Sequence, residues 1–160
     1  MTALSTAAPP AAPAPDLHPL LQQLVTRHGF TPLDADTVDA FAADGHVLLV
    51  FTEDPLRYKE TLDLAVIAPE IARAFAGCLR TGVFLPAVSR KAAVRYGFAR
   101  WPALVVLKDG EYVGAVDGLR NWDEYLTEMQ QLLAAEPRRA PSVGIAVNSA
   151  AANGSSGCGH

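Results

Sequence analysis

Residues 96–117, YGFARWPALVVLKDGEYVGAVD, read as a helix end, a Trp-Pro step, a strand, a two-residue turn and a second strand. Residues 103–108 form a short apolar run rich in β-branched side chains, and residues 111–117 alternate polar with apolar. Between them Asp109-Gly110 supplies the positive φ angles of a type I′ turn, whose twist matches that of paired strands. The stretch is therefore a β-hairpin. Trp101-Pro102 stands at the entrance to its first strand, where a residue without an N–H is tolerated. That bond is a candidate for the cis form, because cis peptides are essentially confined to proline.

Outward from the hairpin, composition sets limits. The chain has 160 residues, half of them apolar, enough for one substantial core. The expected organisation is an Ala/Pro-rich disordered leader over residues 1–16, one domain over 17–135, and a disordered tail rich in Pro, Ala, Ser, Asn and Gly over 136–160. A net charge of −4 with scattered Lys and Arg argues against nucleic acid, which needs a basic face to displace counterions. No apolar run approaches the roughly 20 residues of a membrane span. The N-terminus has neither a basic n-region nor an apolar h-region, so a secretory signal is not expected and cytoplasmic residence is the default. Cys78 and Cys158 lie far apart, and no structural disulfide is expected between them.

In chain order, Leu17, Leu20, Leu21, Leu24 and Val25 recur at helical spacing until His28-Gly29 stops them. Asp34 or Asp36 can cap a second helix carrying Val38, Phe41 and Ala42. Residues 47–51, VLLVF, are apolar on both faces, as a central parallel strand is. The polar segment 52–63, TEDPLRYKETLD, then falls at the C-terminal end of that strand, where open α/β sheets place their sites. A helix over 66–79 follows, through Ile67, Ile71, Ala74 and Phe75, with Pro69 in its first turn or kinking it. Cys78 fits there as a packed small residue. A strand over 81–85 ends at Pro86, a short helix over 91–96 stops at Gly97, and the hairpin follows. Asn121 caps a last helix with a stripe of Trp122, Tyr125, Leu126, Met129, Leu132 and Leu133. The order α-α-β-α-β-α-β-β-α gives a three-layer α/β fold, a mixed central sheet with helices on both faces.

VLLVF, a polar loop, IAPE in a helix, a further strand, a helix ending in YGF, then WPALVVLKDGE and VGAVDGL resemble thioredoxin over about residues 37–133. The resemblance carries Pro69 as the helix proline, Pro102 as the cis-proline, Lys108-Asp109-Gly110-Glu111 as the hairpin and Gly118 as the late glycine. It carries no catalytic residue. Thioredoxin chemistry needs two cysteines two residues apart at a helix N-terminus, where the dipole lowers a thiol pKa. Counting back from Pro69 places that motif on Thr61-Leu62-Asp63-Leu64, and counting forward from Phe51 places it on Leu56-Arg57-Tyr58-Lys59. Neither register holds a cysteine. The aspartate that assists proton transfer in thioredoxins falls on Val50 and its lysine partner near Val83, so thiol redox at the usual site is excluded on chemical grounds.

FTEDPLRYKETLDLAVIAPEI together with RYGFARWPALVVLKDGEYVGAVDGLRNWDEY resembles the HyaE/HupG/HoxO family of hydrogenase expression proteins, thioredoxin-like and without the redox cysteines. The resemblance covers about residues 20–133. It implies an assembly chaperone, not an enzyme, for the iron–sulfur small subunit of a membrane-bound [NiFe] uptake hydrogenase. The implied partner is the small-subunit precursor with its twin-arginine signal peptide, bound before export, with a second maturation chaperone as a further partner. No cofactor is implied.

Such a signal presents two guanidinium groups and then an apolar segment, and guanidinium pairs best with carboxylates. The candidate partner-binding residues are Glu53, Asp54, Glu60 and Asp63, with Arg57 holding the loop through Asp54 or Asp63. Tyr58 and Trp101 supply an apolar platform, and the backbone beside Pro102 can pair with an extended peptide. The competing reading of the carboxylates is a solvated loop, and that of Trp101 a core residue. His18, His28 and His46 lack metal-ligand spacing, and Cys158 with His160 on a flexible end makes a poor metal site, so none is assigned. Two other functions stay open: a thiol-dependent redox protein using Cys78 or Cys158, and a redox-dead scaffold for another partner.

Overall fold

The computed structural model describes residues 17–141; the leader over 1–16, and Cys158 and His160, lie outside them. Five strands form one sheet in the order β1-β3-β2-β4-β5: β1 Thr31–Pro32, β2 His46–Phe51, β3 Arg80–Phe84, β4 Ala103–Lys108 and β5 Glu111–Asp117. β1, β3 and β2 run parallel, while β4 is antiparallel to β2 and β5 to β4. With helices on both faces this is the thioredoxin-like arrangement.

The pleat sorts the core into two layers. Along β2, Leu48 and Val50 turn to one face, and Val47, Leu49 and Phe51 to the other. The first set packs with Leu21 and Leu24 of α1 (Pro19–Thr26), Leu64 and Ile71 of α3 (Glu60–Ala74), and Tyr125 and Met129 of α5 (Trp122–Ala134). The second packs with Val38 of α2 (Val38–Phe41), Ala92 of α4 (Pro86–Ala93) and the ring of Tyr96. Each large side chain so buried contributes about 1.5–3 kcal/mol relative to exposure. Val50 pairs with Val83 across β2 and β3, both fully buried, so the interior below the sheet end is hydrocarbon.

The hairpin forms as its sequence dictates. Asp109 (φ 51°) and Gly110 (φ 85°) make the turn, and the Trp101-Pro102 bond is cis. Asn121 stands at the N-cap of α5, its N–H donating to Glu124 Oε1 at 2.9 Å. Gly114 lets α5 approach, since a Cβ there would lie 2.4 Å from Leu132 Cδ2. Beyond α5 the chain turns back along the outer edge of β5, where Arg138 donates through its backbone N–H to Tyr112 O (2.7 Å) and through Nε to Val113 O (3.1 Å). The exposed edge is thereby partly covered.

Several expectations are corrected. Helix α1 begins at Pro19 rather than Leu17, with His18 Nδ1 accepting from Leu20 N. The two-residue β1 is too short to register as a strand pattern. Helix α2 has Thr37 at its N-cap, and Asp34 instead accepts from the N–H groups of Asp36 and Thr37 in the preceding turn. Helix α3 starts at Glu60, not residue 66, which puts Pro69 in its interior. Pro86 opens α4 instead of merely ending β3, because a proline at the first helical position lacks only an N–H that would be unpaired there. Trp122 is 43% exposed, so the buried stripe of α5 centres on Tyr125 and Met129. Cys78 is exposed in the turn after α3 rather than packed.

Candidate functional site

The polar segment after β2 folds into a tight turn at the C-terminal end of the strand. Thr52 anchors it, its N–H and hydroxyl both donating to Phe84 O (3.1 and 2.8 Å). The Glu53 N–H donates to Thr61 Oγ1 at 3.2 Å, tying the loop to the first turn of α3. Asp54 O accepts from the N–H groups of Arg57 and Tyr58, and Asp54 Oδ1 from that of Leu56 at 2.9 Å. This side-chain-closed turn, favoured by Asp followed by Pro, lifts Leu56 to 91% exposure. The start of α3 at Glu60 places the Thr61–Leu64 register in the first helical turn and the Leu56–Lys59 register in the turn ahead of it.

The centre of the site is a residue the sequence reading did not select. Arg90, from α4, reaches over the loop with Nε against Glu53 Oε2 and Nη2 donating to the Tyr58 hydroxyl at 3.2 Å. Its guanidinium lies 5.8 Å from the Tyr58 ring centroid and 5.5 Å from that of Trp101, within cation–π range of both. The Tyr58 hydroxyl and then the Glu53 carboxylate hold the Arg90 guanidinium above its ordinary pKa, so it stays charged. Glu53 is only 5% exposed; its Oε1 accepts from Asp54 N at 2.8 Å, and Oε2 receives no aligned hydrogen bond. Arg90 fell outside the helix expected over 91–96, whereas α4 begins at Pro86 and carries it.

Trp101 is half-buried, edge-on to Phe98 (centroids 5.0 Å) and Phe51 (6.4 Å). It is held from behind by Asp117, whose Oδ2 accepts from the N–H groups of Ala99 (2.8 Å) and Arg100 (3.0 Å), with the Arg100 guanidinium on Oδ1. Burial alone would raise the Asp117 carboxyl; these backbone donors and Arg100 outweigh it and hold its pKa below the usual value.

Of the residues selected from sequence, the structure brings Glu53, Tyr58 and Trp101 together around Arg90, with Pro102 buried beside them. Asp54 spends a carboxylate oxygen within its own turn. Glu60 and Asp63 are exposed in the first turn of α3, where negative charge complements the helix dipole. Arg57 is exposed, and among the described residues it forms no ion pair with Asp54 or Asp63, so the loop is closed by Asp54 and Thr61 instead. Among the described residues no three His, Cys, Asp or Glu side chains converge to hold a metal. No described helix is long and apolar enough to cross a membrane. A groove of about 440 Å³ between α1 and α3, lined by Leu20, Arg27, Val66 and Arg73 among others, holds none of the selected residues.

A family model described as hydrogenase-1 expression protein HyaE matches residues 20–125. The hydrogenase expression/formation protein HoxO of Cupriavidus necator is 41% identical over 140 residues, covering 86% of this chain and 87% of that protein. HupG of Bradyrhizobium diazoefficiens, with the same description, is 34% identical over 128 residues, covering 77% and 85%. A designed protein of known structure, 20% identical, superposes with a TM-score of 0.56 over 69% of this chain and 97% of its own, a likeness of fold alone. On sequence the chain belongs to the HyaE family of hydrogenase expression proteins.

Proposed function

We propose that this protein is a non-enzymatic assembly chaperone that binds the precursor of a [NiFe] hydrogenase small subunit through its twin-arginine signal peptide, in the cytoplasm before export. Membership of the family supports the coarser part of this, a role in hydrogenase maturation. The observation that carries the finer part is the composition of one sheet end. A buried carboxylate, Glu53, and the rings of Tyr58 and Trp101 surround one guanidinium, that of Arg90, with the 91%-exposed Leu56 on the same loop as Glu53. A twin-arginine signal has the complementary chemistry: planar cations that stack on rings and pair with carboxylates, followed by an apolar stretch. Where thioredoxin would need a thiol pair, the first turn of α3 carries Thr61 and Leu64, neither of which supplies a thiol.

The test is calorimetric titration of the protein with a synthetic twin-arginine signal peptide from a hydrogenase small subunit, against the same peptide with both arginines replaced by lysine. Micromolar or tighter binding that is lost with lysine supports the reading. Absence of binding to the arginine peptide, with the folded precursor also failing to bind, overturns it.

A further inference from the structure

Glu53 is nearly sealed from water, and a carboxylate at that depth needs a cation at all times. Among the described residues its cation is Arg90, whose side chain is 54% exposed on the short helix α4. The two members of the pair are held very differently. Glu53 is fixed by Thr61 Oγ1 at its N–H and by Asp54 N at Oε1. Arg90 divides its guanidinium between two partners, Nε on Glu53 and Nη2 on the Tyr58 hydroxyl, so it does not make the two-pronged fork that carboxylates bind best. Glu53 Oε2 accordingly has no aligned hydrogen bond.

We propose that Glu53, Tyr58 and Trp101, which together surround the Arg90 guanidinium, form a seat for one arginine side chain of an extended client segment, and that Arg90 is its intramolecular occupant, displaced when the client binds. The exchange swaps one guanidinium for another, so the site never holds an uncompensated buried charge, and Arg90 leaves toward solvent where it is already half exposed. The two rings favour guanidinium over ammonium, since a planar, weakly hydrated cation stacks where a compact, strongly hydrated one does not. Arg90 thus sets specificity as a competitor: only a segment that supplies a better-placed guanidinium takes the seat. The identity of the client segment rests on the function proposed above; the seat and its occupant rest on the geometry.

Two arms test this separately. In the first, thermal melting of Arg90→Ala is followed with low-millimolar N-ethylguanidinium or ethylammonium chloride. The expected result is a rise in melting temperature specific to ethylguanidinium, larger than in wild type and absent from the Glu53→Gln/Arg90→Ala double variant. No guanidinium-specific rise overturns the seat. In the second, Arg90→Ala binds the twin-arginine peptide about tenfold tighter than wild type, because apparent affinity scales with the fraction of vacant sites. Unchanged or weaker binding, with wild type binding normally, overturns Arg90 as competitor while leaving the proposed function standing. A guanidinium-specific rise with no peptide binding in either protein upholds the seat and overturns the twin-arginine client. Arg90→Lys, which keeps a cation beside Glu53 but is a weaker occupant between the two rings, carries both arms if the alanine variant does not fold.

Discussion

Two carboxylates flank the Trp101-Pro102 step, and they are closed in opposite ways. Asp117 is closed by the chain itself: two successive backbone N–H groups, those of Ala99 and Arg100, point at Oδ2, and Arg100 and Arg120 add guanidinium charge. Glu53 is the more deeply buried side chain, 6% exposed against 20%, yet its charge is met by one adjacent N–H and a movable side chain from another helix. A carboxylate tied by backbone donors cannot change partners without unfolding its loop. One tied by a half-exposed arginine can. The comparison separates a group that positions Trp101 from one that is free to exchange, and burial alone would have ranked them the other way.

The widest break in this comparison is expected from the floor both sides share. Phe51 stacks on Phe84 with centroids 4.5 Å apart and meets Tyr96, Phe98 and Trp101 edge-on or tilted. Phe51→Ala is predicted to cost about 3–5 kcal/mol in urea unfolding and to abolish client binding, since it removes support from the whole sheet end. Next is Asp117→Asn, predicted to cost about 1–3 kcal/mol by weakening two charge-assisted bonds to backbone. Because the folded-state pKa of Asp117 is depressed, its contribution is full above the unfolded value near 4 and is lost as pH falls through the folded value. The stability gap between wild type and variant should therefore start to close below about pH 4 and vanish only below the depressed folded value; a constant gap down to pH 2 would show that the carboxylate charge is not what holds the loop.

Glu53→Gln sharpens the contrast. Despite deeper burial it is predicted to cost less stability than Asp117→Asn, under about 1 kcal/mol, because the amide still accepts from Asp54 N and Arg90 relaxes into water. It should nonetheless erase discrimination between arginine and lysine peptides in titration. A stability loss exceeding that of Asp117→Asn would mean that the Glu53–Arg90 pair is structural. Smallest of all, Leu56→Ser should leave stability within about 0.5 kcal/mol, its side chain being almost wholly in water, while weakening peptide binding measurably.

The parts of the fold that sequence dictates most directly were those with local chemistry. Asp109-Gly110 between two apolar runs fixes the hairpin, VLLVF fixes β2 at the sheet centre, and Asn121 followed by Glu124 fixes the start of α5. The site was only half legible, for a physical reason. Glu60 and Asp63, which complement the dipole of a helix start, read as part of the polar segment 52–63, so α3 was expected to begin later than it does although its buried face already starts at Thr61 and Leu64. Arg90 carries no local signal of its own; its meaning comes from Glu53 and Tyr58 on the loop after β2 and from Trp101 ahead of β4, two segments distant in sequence. Cys78 showed the reverse error, helical spacing suggesting a packed position where the helix had already ended at Ala74 and the chain was in a turn.

The most direct test of the account is to locate the client on the protein. Backbone amide spectra of the isotopically labelled protein, titrated with the twin-arginine peptide, should show the largest shifts at Glu53, Asp54, Tyr58, Thr61, Arg90 and Trp101, with the lysine peptide leaving them in place. Shifts confined instead to the groove between α1 and α3, around Arg27, Val66 and Arg73, would contradict the assignment of this sheet end as the binding site.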